Sequence, residues 1–264
     1  MTDTAWTRAL VTGASNGIGR ALAVQLAAGG ADVVLVARSV ERLEELAVEL
    51  RRENEVAVEV LAADLADPDE LARVEERLSA DPLIDLLVNN AGFGTYGPFH
   101  TLPIDGEVGE IAVNVTALVR LTRAALPAMV ERGRGWVLNV SSMASLQPVP
   151  RNATYGATKA FVTSFSESVH EELRGTGVRV TAVLPGFTRT GFQERAGLGD
   201  AGGVPGFLWQ SAEACAAEAI AATRAGRAVV VPGVLNKITA ASTAPLPRGV
   251  KRRVVSFLSS RFGE

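Results

Sequence analysis

Short apolar runs recur along this chain at Ala9–Val11, Val33–Val36, Val56–Leu61, Leu83–Val88, Trp136–Val140, Val178–Leu184 and Ala228–Val231. Each is rich in Val and Leu and lacks the strict alternation of a strand with one wet face. Such runs fit strands covered on both faces, as in a parallel sheet. Between them lie amphipathic stretches such as Val40–Glu53, where Leu43, Leu46, Ala47 and Leu50 mark one face of a helix. This strand–helix repetition predicts an α/β fold of the Rossmann type, a doubly wound parallel sheet of about seven strands with helices on both faces. No internal repeat, low-complexity tract or Pro/Ser linker divides the 264 residues. One domain spanning 1–264 is expected, with an interruption at 188–210 and an extension at 234–264.

Composition narrows the function. The single cysteine, Cys215, excludes an internal disulfide and any zinc site of several thiolates. His100 and His170 lack metal-ligand spacing, so no metal is expected. Met1–Thr4 is polar and short, and no run of about 18 apolar residues stands out to span a membrane, so a cytoplasmic protein is expected. Residues 227–264 carry seven basic side chains against Glu264 alone, which leaves an acidic body under a net charge of −3. Such a body is a poor nucleic-acid binder.

The segment 188–210 is rich in glycine and carries Phe192, Phe207 and Trp209. It reads either as a substrate loop or as a variable surface loop. In the tail, Val250, Val254, Phe257, Leu258 and Phe262 recur at helical spacing beside Lys251, Arg252 and Arg253. A basic amphipathic helix of this kind either packs on its own domain or a partner subunit, or makes peripheral contact with an anionic membrane.

The first strand runs into Thr12-Gly13-Ala14-Ser15-Asn16-Gly17-Ile18-Gly19, followed by a helical stretch to Ala28. Glycines at such a junction permit positive φ and let backbone N–H groups approach a pyrophosphate, and the helix N-terminus favours the anion. After the second strand, where an NAD site places a carboxylate for the ribose 2′-hydroxyl, the chain has Ala37, Arg38 and Ser39. Arg38 reads as an anchor for a 2′-phosphate, hence NADP(H), or as a solvated charge at a helix start.

Tyr155 and Lys159 stand four positions apart on a helical stretch and share one face. With 2 Tyr in the chain, and lysine rarer still than arginine, chance supplies such a pair about once in forty-four. The pairing suits ketone reduction, because a phenol can protonate the developing alkoxide and a nearby ammonium stabilises the phenolate. Ser142 follows the strand Trp136–Val140 and faces the crevice where open α/β sheets bind ligands.

With Asp64-Leu65, Asn89-Asn90-Ala91-Gly92, Asn114 and Pro185-Gly186 followed by Thr190, the chain resembles the classical short-chain dehydrogenase/reductase family over nearly its full length. The resemblance implies that Tyr155 is the general acid/base and that Ser142 orients the carbonyl. It makes Lys159 the group that lowers the tyrosine pKa and holds the nicotinamide ribose, and Asn114 the holder of a relay water. It assigns the cofactor to Gly13, Ser15, Asn16, Gly17, Ile18 and Gly19, to Arg38, to Asp64 and Leu65 at the adenine, to Asn90, Ala91 and Gly92, and to Pro185, Gly186, Thr188 and Thr190. Taken alone, Asn89 and Asn90 also read as turn residues, Asp64 as a helix-start acid and Ser142 as a turn hydroxyl.

The stretches from Asn89 to Phe99 and from Tyr155 to Phe165 are similar to 3-oxoacyl and long-chain, mycolate-type ketoacyl reductases. An acyl thioester or other carbonyl substrate, lipid metabolism and a homo-oligomer are the corresponding expectations. A hydroxysteroid or other secondary-alcohol dehydrogenase, and a non-catalytic NADP-sensing protein, are the alternatives. Phe93, Tyr96, Phe187, Phe192, Phe207 and Trp209 are pocket or core residues. Cys215 sits in an alanine-rich stretch and is expected to be packed.

Overall fold

The computed structural model describes residues 6–190 and 206–243, together with Gly249 and Arg253. The tail positions Val250, Val254, Phe257, Leu258 and Phe262, and Phe192 with the glycines around it, lie outside the described residues.

Nine strands are described: β1 (Arg8–Thr12), β2 (Asp32–Ala37), β3 (Val58–Ala62), β4 (Leu86–Asn89), β5 (Gly135–Val140), β6 (Val178–Val183), β7 (Thr188–Arg189), β8 (Gln210–Ser211) and β9 (Val229–Val230). Seven of them form one parallel sheet in the order β3-β2-β1-β4-β5-β6-β9, and β7 pairs with β8 separately. The seven apolar runs of the sequence supply these seven strands, trimmed by two or three residues at Val56 and Leu83 where pairing has not begun.

The helices are α1 (Gly17–Ala28), α2 (Val40–Asn54), α3 (Pro68–Ser79), α4 (Ile104–Ile111), α5 (Leu118–Glu131), α6 (Ala153–Glu172), α7 (Ala212–Arg224) and α8 (Val234–Thr243). Two apolar layers sandwich the sheet. One joins Val11 and Leu35 to Leu22 of α1, Leu43 and Leu50 of α2 and Ala219 of α7. The other joins Leu10, Val34 and Leu87 to Leu71 of α3 and Leu121 of α5, with Val169 of α6 packed against it. Burial on both faces is why the strands read as continuous apolar runs.

A π-helical turn, Ala112–Ala117, splices α4 to α5 and makes Ile104–Glu131 one rod of 28 residues. Among the described residues it is the one helix long and apolar enough to cross a membrane. Counting consecutive apolar residues misses it, because Arg120 and Arg123 interrupt the run. Its inner face, Leu118, Leu121, Ala125 and Met129, is buried, and Arg120 makes a two-pronged ion pair with Glu75 of α3. The apolarity of that inner face is used in packing on the sheet, while Ile104, Val108 and Ile111 of α4 are exposed.

Because every strand of the sheet runs the same way, the carboxyl ends of β1, β2, β4, β5 and β6 open on one edge. The strand order reverses between β1 and β4, which is where open α/β sheets form their ligand crevice.

Candidate active site

The glycine loop after β1 is held from below by Asn90, which follows β4. Asn90 Nδ2 donates to the carbonyls of Thr12 (2.9 Å) and Gly13 (3.2 Å). The Thr12 hydroxyl accepts in turn from the backbone N–H of Asn90 and of Ala91, both at 3.0 Å. The crossing leaves no room for side chains: a Cβ on Gly19 would lie 2.2 Å from the Gly13 carbonyl oxygen, and Gly13 itself has φ +65°. Asn90 is thus not a turn residue but a strut whose Nδ2 is bonded to the loop. Asn16 caps α1, its Oδ1 accepting from Gly17 N at 2.7 Å. A Cβ on Gly17 would meet the side chain of Thr190 at 2.9 Å, so the two ends of the proposed cofactor site do come together. These close approaches fit a pyrophosphate bound by backbone N–H groups at the start of α1, where Gly13 and Gly17 keep the surface bare.

Beyond β2, the Arg38 side chain is 77% exposed and lies 4.0 Å from the Asp64 carboxylate. Asp64 also accepts from Ala66 N, as a turn acid does, while Leu65 is buried in the core. A cavity of about 390 Å3 between α1 and α2 is lined by Ser15, Asn16, Arg20, Arg42, Glu45, Leu46 and Glu49. It adjoins the glycine loop and lies away from Tyr155.

Tyr155 and Lys159 rise on α6 beside the end of β5. Lys159 is buried and donates from Nζ to the Val140 carbonyl at 2.9 Å, which holds the ammonium 5.6 Å from the centre of the Tyr155 ring. The Tyr155 hydroxyl is hydrogen-bonded to Ser142, whose Oγ also accepts from Ala144 N at 3.1 Å. Ser141 ties β5 to α6 by donating to the Lys159 carbonyl at 2.8 Å. A Cβ on Gly92 would lie 3.3 Å from Lys159 Nζ and 2.8 Å from Asn114 Oδ1, and one on Gly94 would meet the Tyr155 ring at 2.9 Å. The segment 92–94 thus passes directly over the pair.

Burial pushes the Tyr155 phenol up to about 12, with Glu110 adding to the rise and the Ser142 bond opposing it. Burial brings Lys159 itself down to about 8, against the pull of Glu110. The side chain of Asn114 is engaged by the loop and by α6: Nδ2 donates to the Phe93 carbonyl (2.9 Å) and Thr158 Oγ1 (3.1 Å), and Oδ1 accepts from Phe93 N (3.1 Å). It clamps segment 92–94 to the π-turn.

On the far side, a Cβ on Gly186 would collide with Asn236 of α8 at 2.3 Å, and Thr188 Oγ1 donates to the Gly186 carbonyl and accepts from Gln210 Nε2. Met143 N donates to the Pro185 carbonyl, which joins this segment to Ser142. Phe187 is exposed and its ring lies 5.6 Å from that of Trp209, whereas Phe93 and Tyr96 are partly buried. Cys215 is buried, and its thiol is pushed up to about 12 by burial. His170 Nδ1 is bonded to the Val180 carbonyl, a structural role.

Sequence reasoning missed a polar interior. Asn89 is the buried end of β4 and donates to Thr122 Oγ1 and Asn139 Oδ1, and Asn139 donates to Ser166 Oγ. Glu107 and Glu110 of α4 are also buried and face Thr95. Only an acid recurring three positions on, within an otherwise apolar stretch, hints at this in the sequence.

Comparison with known proteins gives four consistent matches. Residues 7–200 match the family model for short chain dehydrogenase. The human very-long-chain 3-oxoacyl-CoA reductase is 38% identical over 186 residues, covering 69% of this chain and 59% of its own length, so this chain spans about three fifths of that relative. A short-chain dehydrogenase from Sphingobium yanoikuyae, solved in complex with NADPH, is 38% identical with a TM-score of 0.82, covering 91% of this chain and 96% of that one. A 7beta-hydroxysteroid dehydrogenase structure is 29% identical with a TM-score of 0.85, covering 94% and 96%.

Proposed function

The chain belongs to the short-chain dehydrogenase family, and we propose that within it this oxidoreductase reduces the ketone of a 3-oxoacyl substrate to a secondary alcohol with NADPH. The observation that carries the reading is the Ser142–Tyr155–Lys159 cluster at the carboxyl edge of β5, beside a glycine cradle that a Cβ would fill. When bound, the dinucleotide supplies the hydride. Gly13, Ser15, Gly17, Ile18 and Gly19 would hold its pyrophosphate, Arg38 its 2′-phosphate, Asp64 and Leu65 its adenine, and Ala91, Gly92, Pro185, Gly186, Thr188 and Thr190 its nicotinamide half.

The chain's own part is orientation and proton transfer. The Ser142 hydroxyl and the Tyr155 hydroxyl, already bonded to one another, both address a carbonyl oxygen, and Tyr155 gives its proton to the alkoxide as charge develops there. A phenol near 12 is a weak acid in the resting protein and a good partner for an alkoxide, whose basicity exceeds it. Lys159, held by Val140, orients the ribose and neutralises the phenolate left behind. Asn90 and Asn114 hold the loops that border the ligand.

Carbonyl chain length is read by initial rates with NADPH across a panel of 3-oxoacyl thioesters, with a steroid ketone and a simple ketone as controls. Faster turnover of the longer thioesters is the expected result, and turnover of the steroid alone would transfer the assignment to a hydroxysteroid dehydrogenase. Binding of NADPH with no turnover of any ketone would leave a nucleotide-sensing protein.

A further inference from the structure

Helix α4 is built inside out. Its acids Glu107 and Glu110 are 4% and 0% exposed, whereas Ile104, Val108 and Ile111 on the same helix are 66%, 57% and 45% exposed. The hydroxyl of Thr95 lies between the two carboxyls, 2.5 Å from Glu107 Oε1 and 3.1 Å from Glu110 Oε2. One hydroxyl carries one proton. The Thr154 hydroxyl meets the other oxygen of Glu107, so hydroxyls satisfy both oxygens of that carboxylate. That single proton cannot be donated fully to both carboxyls, and the shorter contact is with Glu107.

Glu110 is served differently. Its Oε2 accepts from Thr95 N at 3.0 Å, and its Oε1 is buried with no hydrogen-bond partner among the described residues. A carboxylate left in that state is costly, whereas a neutral carboxyl turns the 3.1 Å contact with Thr95 into a donated hydrogen bond. The ionisable groups acting on it are Glu107 from its own helix and Lys159 from α6, and its own charge acts on Tyr155. Burial first, then Glu107, push Glu110 up to about 7 against the Thr95 bonds and Lys159. Segment 92–95 connects the parts: Gly92 lies at Lys159 Nζ, Gly94 at the Tyr155 ring and Thr95 at Glu110.

We propose that Glu110 is a positioning residue of this site, keeping a proton in reserve behind Tyr155 and Lys159 and returning it through Lys159 after each reduction. The inference rests on the assignment of Tyr155 as proton donor. The Tyr155 O–H bond breaks as the alcohol O–H bond forms, and the phenolate recovers a proton from the Lys159 ammonium. The lysine recovers one from the Glu110 carboxyl through a water at the unpartnered Oε1. Solvent then protonates the Glu110 carboxylate, and no electrons move in these steps.

Two titrations of the full chain without substrate test the store and its coupling. In glutamate 13C-labelled at the carboxyl, one resonance titrating near pH 7 is expected, and it is absent from Glu110→Gln. In lysine 13C-labelled beside the amine, the buried Lys159 resonance titrates near pH 8, and in Glu110→Gln its midpoint moves down, because the carboxylate that favoured the ammonium is gone. A glutamate set titrating entirely below about pH 6, or an unmoved Lys159 midpoint, would overturn the proposal. In turnover of a 3-oxoacyl thioester, kcat against pH has an inflection near 7 that Glu110→Gln loses and Glu110→Asp restores, with NADPH affinity kept. An inflection retained in Glu110→Gln also overturns it. If the wild type reduces no such thioester, the functional reading fails, and the two substrate-free titrations still decide the role of Glu110.

Discussion

Helices α2 and α4 obey opposite rules. In α2, Leu43, Leu46, Ala47 and Leu50 are buried on the sheet while Glu41 and the C-terminal Arg51 and Arg52 lie outside, as helical periodicity demands. In α4, a stripe of the same spacing, Ile104, Val108 and Ile111, faces outward, and the carboxyls of Glu107 and Glu110 face Thr95, Thr154 and α6. The first helix buries oil and is scaffold. The second accepts the cost of buried acids near Tyr155 and Lys159, as expected if that side of the molecule carries the proposed proton chemistry.

The contrast can be broken first at α2. Leu50→Ala leaves a void in a fully buried site and is expected to lower stability by about 2–5 kcal/mol in denaturant unfolding, with the kcat of the folded fraction unchanged. A loss of kcat without a loss of stability would make α2 more than scaffold.

At α4 the expected effect is nearly as large and has a pH signature. Glu110 titrates higher when folded (about 7) than its ordinary 4.5, so its protonation favours the folded state. That contribution is complete below about pH 4.5 and lost as pH rises through 7; the shift corresponds to about 3 kcal/mol at most. Lys159, brought down to about 8, is fully charged in both states across that window, and Asp85 and Glu218 titrate below it. Wild-type stability is therefore expected to fall between pH 4.5 and 7 relative to Glu110→Gln. Parallel stability curves for the two proteins would contradict this.

At the N-terminal end of α2, Arg38→Ala is expected to weaken NADPH about tenfold, near 1.4 kcal/mol, with NADH little changed. The loss has two sources, because the substitution also releases Asp64 from its cation and leaves a carboxylate near the 2′-phosphate. Equal weakening of both dinucleotides in a fluorescence titration would remove Arg38 from discrimination.

The smallest effect belongs to the outer face of α4. Val108→Ser is expected to change stability by less than about 0.5 kcal/mol, in contrast to Leu50→Ala. A larger, concentration-dependent loss would mean that this stripe is covered by a second copy.

The same contrast explains what was legible in the sequence. The sheet was readable because strands covered on both faces are continuous apolar runs, and α2 because its pattern has the expected period. Tyr155 and Lys159 stood out because tyrosine and lysine are scarce in this chain. The inward acids of α4 were not legible, since periodicity assigns Ile104, Val108 and Ile111 to the core. Nor could spacing tell that Asn90 and Asn114 turn their amides onto the loops beside them, because that depends on where two backbones cross. Nor could spacing tell how far burial shifts Tyr155 and Lys159, because only the fold sets its extent.

The central claim is that Tyr155 delivers the proton to the substrate. Tyr155→Phe removes one oxygen from a ring that Gly94 already packs against, so fold and dinucleotide affinity are expected to persist. With NADPH and a 3-oxoacyl thioester, its initial rate is expected to fall on the order of 10²–10⁴-fold, with NADPH binding by fluorescence titration unchanged. A rate equal to that of the wild type would contradict the account.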